Sequence, residues 1–334
     1  MKISLIIQSI LSLSLLFPSI SVALPRETLV TLPKETREKH FKQVKREFDR
    51  RWKAFSAHTV FTPWSYGRSP ESIIEEFNAL EDKRRSAWFK EPYAEVLEAK
   101  PDYQISQVLV TRRLYRLPHI IGFEYNLTDE SYNANSIVMG DKRFIALEGP
   151  KPEFIPAFYN LMVNQRVTHL VRLTPEMEGA TQKCAPYWEN RVVQKNGHAD
   201  IIEIPQGDSA IATPYAIPYY AIEDWLDDTP GMPEKLLKFI KQVKNDIDPN
   251  QENLIAVHCS GGVSRTSTFI TTYLLLRDID KQRQAGVPIA DIKVNIHKTV
   301  AQLSLQRPFA IAVPSQYRTV YDMIDKYIDE LRIS

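Results

Sequence analysis

The sequence predicts an α/β domain, and three observations predict it. From Tyr132 onward, short apolar runs alternate with stretches of helical period. "THLVRLT" and "LIAVHC" read as buried strands. "PEKLLKFIKQVKNDI", "RTSTFITTYLLLRDI" and "ADIKVNIHKTVAQLSL" read as helices. Strands mixed with helices in one chain imply helices layered on a sheet. The 334 residues suffice for one large domain or two small ones, and 43% hydrophobic residues supply a sizeable core.

The chain opens on a targeting pattern. Lys2 precedes the apolar stretch "ISLIIQSILSLSLLF", and "PSISVAL" follows with small residues at Ser21 and Ala23. Residues 1–23 are expected to be a signal peptide cleaved after Ala23, and the mature chain is expected to be exported, either secreted or periplasmic. The apolar run falls short of the ~20 residues of a comfortable membrane span. An uncleaved anchor is the alternative.

Residues 24–65 are expected to form a basic helical extension. In "KETREKHFKQVKREFDRRWK", Phe41, Val44, Phe48 and Trp52 recur on one face. The other face carries more Lys and Arg than acid. It reads either as a solvated surface or as a contact for anionic lipid or a partner. "FTPWSYGRSP" then breaks the pattern with its prolines and glycine. A second helix is expected from near Ser69, with Pro70 at its first position and Ile73, Ile74, Phe77 and Leu80 inward.

Lys+Arg number 42 and Asp+Glu 41, so the chain has no global attraction to nucleic acid or membrane and any electrostatic recognition is local. The seven histidines do not cluster at metal-ligand spacing, and no metal or cofactor is implied. The two cysteines, Cys184 and Cys259, do not make a disulfide scaffold. One bridge between them stays open, and oxidation would threaten a working thiol at Cys259.

The chemistry concentrates in "LIAVHCSGGVSRTS". It reads as strand, loop, helix. A helix N-terminus offers free amides and partial positive charge. Gly261 and Gly262 allow the loop Ser260–Gly261–Gly262–Val263–Ser264 to turn those amides toward one anion. Arg265 adds a planar fork suited to two phosphate oxygens. The same field favours a thiolate at Cys259, a nucleophile at the floor of a phosphate cradle. Thr266 can donate to that thiolate, and His258 can hold the loop from below. The bland alternative is a buried structural cysteine near a chance arginine; His258, Gly262, Thr266 and the flanking elements argue against it.

This stretch resembles the signature of protein tyrosine phosphatases, His-Cys-x-x-Gly-x-x-Arg-Ser/Thr, with Ser264 and Ser267 at sites where the family has glycine or another small residue. Further blocks resemble its tyrosine-specific branch, in the family's order: "SYNANSIV", "FIALEGPKPEFIPAFYNLMVNQRVTHLVRLT", "EMEGATQKCAPYW", "YYAIEDWLDDTPGMP" and "LQRPFAIAVPSQYRTVYDMI". The resemblance runs from about Ser69 to Leu331. It implies a catalytic domain over residues 66–334, built as a central mixed twisted sheet flanked by helices, in an exported, bacterial-type enzyme.

The resemblance also implies roles. Cys259 is the nucleophile, Arg265 the phosphate ligand and Asp227 the general acid, two residues after the hinge Trp225. Glu178 pairs with Arg265 and Lys183 helps position the acid loop. Gln316 orients water, and Arg307 and Tyr317 also match. The sequence departs in three places. Leu226 replaces a proline, and counting back from Gly231 and Pro233 lengthens the acid loop, making Asp228 the alternative acid. Ala312 replaces a water-positioning glutamine. In "TRRLYRLP", Tyr115 fits a contact to the substrate ring, but Leu117 replaces an expected aspartate. The expected substrate is a phosphotyrosine-containing protein. The alternatives are an inositol phosphate or phosphoinositide phosphatase, and a catalytically weak phosphoprotein-binding module.

Overall fold

The computed structural model describes residues 32–98, 123–128, 132–195, 199–205, 214–248 and 251–333. The expected signal peptide and Tyr115 lie outside them. Helix α1 spans Lys34–Ser56 and α2 Pro70–Glu98. Pro70 takes the first position of α2, where its missing N–H costs no helical bond. Ile73, Phe77 and Leu80 are buried, and Ile74 is half-buried.

A seven-stranded sheet forms the middle of the molecule. Its strands are β1 (Ala134–Met139), β2 (Lys142–Leu147), β3 (His169–Arg172), β6 (Val192–Lys195), β7 (Asp200–Ile204), β8 (Tyr215–Ala221) and β9 (Leu254–His258). A separate small hairpin joins β4 (Met177–Glu178) to β5 (Thr181–Gln182). The sheet order is β1-β2-β9-β3-β8-β7-β6. The strands β2, β9, β3 and β8 run parallel, while β1, β7 and β6 pair antiparallel. This is the expected mixed sheet.

Side chains alternate between two cores, as a strand's two-residue period requires. In β9, Ile255 and Val257 point to one core and Leu254 and Ala256 to the other. The first core is covered by α2 and by α4 (Pro233–Asp246), α5 (Ser264–Gln284), α6 (Ile296–Ser304) and α7 (Pro314–Ile333). The second is covered by α1, through Phe41 and Val44, and by α3 (Ile155–Gln165). Helix α1 lies against the edge strand β1, with His40 Nε2 2.9 Å from Ser136 Oγ.

One helix boundary needs correction. The helix expected over "ADIKVNIHKTVAQLSL" starts only at Ile296. Asn295 caps it, its Oδ1 accepting the Lys298 amide at 2.8 Å. The preceding Ile292 and Val294 are buried in the core without being helical.

The four parallel strands all point their carboxyl ends the same way. The loops after β2, β3, β8 and β9 therefore meet at one edge of the sheet, where open α/β sheets place their ligands.

Candidate active site

Cys259 follows β9 directly and is 3% exposed. The loop behind it is fixed from three sides. Gly262 adopts φ +67, and a Cβ there would lie 2.0 Å from the Leu147 carbonyl oxygen, so only glycine fits. Gly149 N–H donates to Ser260 O at 2.9 Å. Arg307 donates to the carbonyls of Gly262 and Gly261 at 3.0 and 3.1 Å, and to Asn133 and Asn135 at 2.8 and 2.6 Å. With its carbonyls held by Arg307, the loop turns its opposite face toward the site.

His258 Nδ1 lies 3.0 Å from Cys259 O, and its Nε2 lies 2.7 Å from Tyr187 Oη. A carbonyl only accepts, so Nδ1 carries the proton and Nε2 accepts from the tyrosine. Burial raises the Tyr187 phenol well above its ordinary value, which keeps it a donor.

Helix α5 begins at Ser264 with no side-chain cap. Arg265 Nε and the hydroxyls of Ser264, Thr266 and Ser267 are buried without a hydrogen-bond partner. Thr271, Thr272 and Tyr273 further along α5 are unpartnered too, so what singles out the first turn is the free Arg265 Nε beside an uncapped helix start, donors suited to an oxyanion.

Arg265 is fully buried. Its Nη1 donates to Trp225 O at 2.6 Å and Thr174 Oγ1 at 3.3 Å, and its Nη2 donates to Asp227 Oδ1 at 2.8 Å. Lys183 Nζ holds the other Asp227 oxygen at 2.9 Å. Burial pushes the Asp227 carboxyl up, but Arg265 and Lys183 outweigh it and hold the group below the usual aspartate range. Burial likewise pulls the Lys183 ammonium down, and Asp227 and Glu178 more than reverse it.

The protein-tyrosine phosphatase family model matches residues 121–326. The chain belongs to the protein-tyrosine phosphatase family. It is 28% identical over 205 residues to the receptor-type tyrosine-protein phosphatase epsilon of Rattus norvegicus, covering 55% of this chain and 28% of that protein. It is 29% identical over 217 residues to the tyrosine-protein phosphatase 69D of Drosophila melanogaster, covering 58% of this chain and 14% of that one. The chain thus spans a little over a quarter of the rat relative's length. A solved chain reported under "Structural basis of PTPN18 fingerprint on distinct HER2 tyrosine phosphorylation sites" superposes with a TM-score of 0.61 at 18% identity, covering 77% of this chain and 95% of that one. That likeness shows the protein-tyrosine phosphatase fold. Both named relatives are animal proteins, and they lend no support to a bacterial-type origin.

Within this protein-tyrosine phosphatase fold, one expected contact is replaced. Glu178 does not pair with Arg265. Its two oxygens accept the Asp227 amide at 3.3 and 3.2 Å, and it lies 3.4 Å from Lys183. Asp227 takes the guanidinium edge that Glu178 was expected to fill, and the β4–β5 hairpin brings Glu178 to the backbone of the acid loop instead. Glu178 therefore reaches Arg265 only through Asp227.

The two candidate acids are separated. Asp227 lies beside Arg265, whereas Asp228 is exposed and adopts φ 53. The turn is tied at several points. Trp225 Nε1 and Gln316 Nε2 both donate to Thr229 O, at 3.1 and 3.0 Å, and Thr319 Oγ1 donates to Pro230 O at 2.9 Å. Gln316 Oε1 is buried and accepts nothing.

Ala312 is exposed, on a segment where Phe309 and Ile311 adopt φ 61 and φ 46. Arg84, fully buried on α2, donates to the carbonyls of Ala310 and Ile311 at 2.6 and 2.8 Å. The sequence does not show that Arg84 and Arg307 hold these backbone segments. Arg307 carried a signal, since it sits in the last matched block; Arg84 carried none. Beside the loop, a cleft of about 420 Å³ is lined by Lys151, Glu153, Gln182, Lys183, Asp227 and Ser260.

Proposed function

We propose that the chain hydrolyses phosphotyrosine in proteins through a cysteinyl-phosphate at Cys259. One observation carries this reading: Cys259 follows β9, and the loop it opens leads into the uncapped first turn of α5, where Arg265, with its Nε free, is bonded to Asp227.

Cys259 Sγ attacks phosphorus, and the bond from phosphorus to the tyrosine oxygen breaks. The amides of residues 260–264 and Arg265 hold the equatorial oxygens as charge redistributes. Arg265 cannot serve phosphate and Asp227 fully at once, so an arriving phosphate takes the guanidinium from the carboxylate. Deprived of that cation and facing an anion, Asp227 gains affinity for a proton. It gives that proton to the leaving phenolate. Water then attacks the cysteinyl-phosphate, Asp227 takes the water's proton, and the S–P bond breaks to return the thiolate. Gln316 Oε1 is the free acceptor that orients this water.

The test is turnover of phosphotyrosine peptide, phosphoserine peptide and inositol hexakisphosphate under reducing conditions. The phosphotyrosine peptide should be the best substrate, and Cys259→Ser should abolish turnover while keeping phosphate binding. A Cys259→Ser variant with a substantial share of wild-type activity would remove the mechanism; a preference for the inositol phosphate would move the substrate class.

One feature favours a second reading. Ala312 lacks an amide for the water step, which suits a slow enzyme that holds phosphoprotein longer than it processes it. Export by residues 1–23 is part of the proposal and rests on the basic start, apolar run and small-residue site. So is an anionic contact along α1, where Lys39, Lys42, Arg46 and Lys53 are exposed along one side.

A further inference from the structure

We infer that a second oxyanion site lies between α1, the end of α3 and the start of β9, and that it takes inorganic phosphate or a phosphomonoester still carrying a proton. A cavity of about 140 Å³ opens there, with Arg37, Arg143, Gln165, Arg166, Glu38 and Glu252 in its wall.

The carboxylates in this wall are already matched. Arg143 makes a two-pronged pair with Glu38 at 2.6 and 2.9 Å and reaches Glu252 at 3.0 Å, and Lys34 Nζ lies 3.4 Å from the other Glu252 oxygen, so two cations face two carboxylates. Hydrogen bonding to Arg143 holds the Glu38 carboxyl down at about 2. Arg37 and Arg166 remain. Arg37 donates to the Leu32 carbonyl, and the Arg166 guanidinium lies 5.8 Å from the Tyr215 ring centre. Neither has a carboxylate partner among the described residues. Both act on the same phenol: burial raises the Tyr215 hydroxyl, and the charges of Arg166 and Arg37 oppose that rise. Two like charges therefore converge on one cavity.

Two further features point to a ligand. Arg166 caps α3 at φ 57, the left-handed conformation that glycine adopts most readily. An exposed arginine held in a strained position calls for a role for its guanidinium. Next to it, Gln165 is 5% exposed; its Nε2 donates to Thr128 O at 3.4 Å, while its Oε1 accepts nothing. A buried acceptor wants a donor. Hydrogen phosphate answers both needs, offering charge to the planar forks and an O–H to Gln165. Sulfate at neutral pH offers charge alone.

The site is separate from Cys259. Leu254 lines the cavity and His258 ends β9 beside the thiol, so the two lie roughly 15 Å apart at strand spacing. An anion bound here would tie α1 to α3, and it would do so whether or not the proposed hydrolysis occurs.

Calorimetric titration with inorganic phosphate tests this. The wild-type chain should bind two phosphates, and Arg166→Gly and Arg265→Ala should each bind one. Without phosphate, Arg166→Gly should melt no lower than wild type, because glycine relieves the backbone strain; with phosphate it should gain less. Arg37→Ala repeats the loss from the other helix. Sulfate should bind this site roughly tenfold more weakly, the effect of one missing hydrogen bond. Phosphatidylcholine vesicles containing a phosphatidylinositol phosphate separate the sources: sedimentation that needs Arg166 assigns a lipid headgroup, and phosphate binding without sedimentation assigns a soluble ligand. A single phosphate per wild-type chain, lost in Arg265→Ala and kept in Arg166→Gly, overturns the site. Sulfate binding as tight as phosphate overturns the ligand.

Discussion

Asp227 Oδ1 accepts a 2.8 Å hydrogen bond from Arg265 Nη2, which joins the expected acid to the expected phosphate ligand. In the proposed reaction the pair would couple substrate arrival to proton uptake, since whatever draws Arg265 away raises the proton affinity of Asp227.

The acid assignment is tested by two substitutions. A tyrosine phenolate has a pKa of about 10, so its departure needs a proton. Asp227→Asn should slow phosphotyrosine hydrolysis by roughly 10²–10⁴-fold and affect an activated aryl phosphate much less. It should also flatten the alkaline limb of the pH–rate profile. Asp228→Asn should stay within a few-fold of wild type on both substrates, because Asp228 is exposed and asparagine tolerates its positive φ. The reverse pattern in steady-state rates would move the acid to Asp228.

The same pair contributes to stability in a pH-dependent way. The Asp227 carboxyl is lowered from 3.8 in the folded chain, so the unfolded state binds protons first as pH falls. The contribution is full well above 3.8 and is lost as pH drops through the folded value. Asp227→Asn should therefore lower the melting temperature at neutral pH, with a gap that closes in acid. Thermal unfolding across pH 7 to 2 reads this directly; a gap independent of pH would mean that the pairs with Arg265 and Lys183 do not stabilise the fold.

Gly262→Ala should disable the loop. The new methyl would sit 2.0 Å from a backbone oxygen, and backbone cannot swing aside as a flexible side chain can. Strain and overpacking together predict a loss of about 2–4 kcal/mol. Activity should fall by at least ~10²-fold, since displaced amides no longer match the phosphate. Denaturant unfolding and initial rates measure the two effects, and near-normal values of both would show that the loop can rearrange.

Ala312 predicts the slow step. With only Gln316 to orient water, rapid mixing should give a burst of phenol release followed by slower turnover. Ala312→Gln should quicken the slow phase, and Gln316→Leu should slow it further without changing the burst rate. If turnover is linear from the first milliseconds and neither variant alters it, water positioning does not limit the reaction.

The loop from Cys259 to Thr266 is legible in the sequence because its parts are neighbours: strand, turn residues and helix start follow one another. The same holds for Trp225 and Asp227. What is not legible depends on meetings across space. Glu178 and Asp227 are 49 positions apart, and nothing local says that a carboxylate will accept an amide there rather than bind a guanidinium. Arg84 finds carbonyls 226 and 227 positions away. In α6 the apolar pattern of Ile292 and Val294 imitates a helix that Asn295 actually begins, because buried extended segments and helices share short apolar runs.

Strand β9 enters the sheet between β2 and β3, although it follows both by a long stretch of chain. Without β9 the sheet falls into two pieces, β1 with β2 and β3 with β8, β7 and β6, and each has an open strand edge until β9 pairs. Such edges are sticky, and late long-range pairing is slow. The strand that closes the gap also carries Cys259 at its tip. A chain in which β9 is not yet paired therefore has no fixed cysteine loop, and the bare edges of β2 and β3 are the surfaces a chaperone would shield.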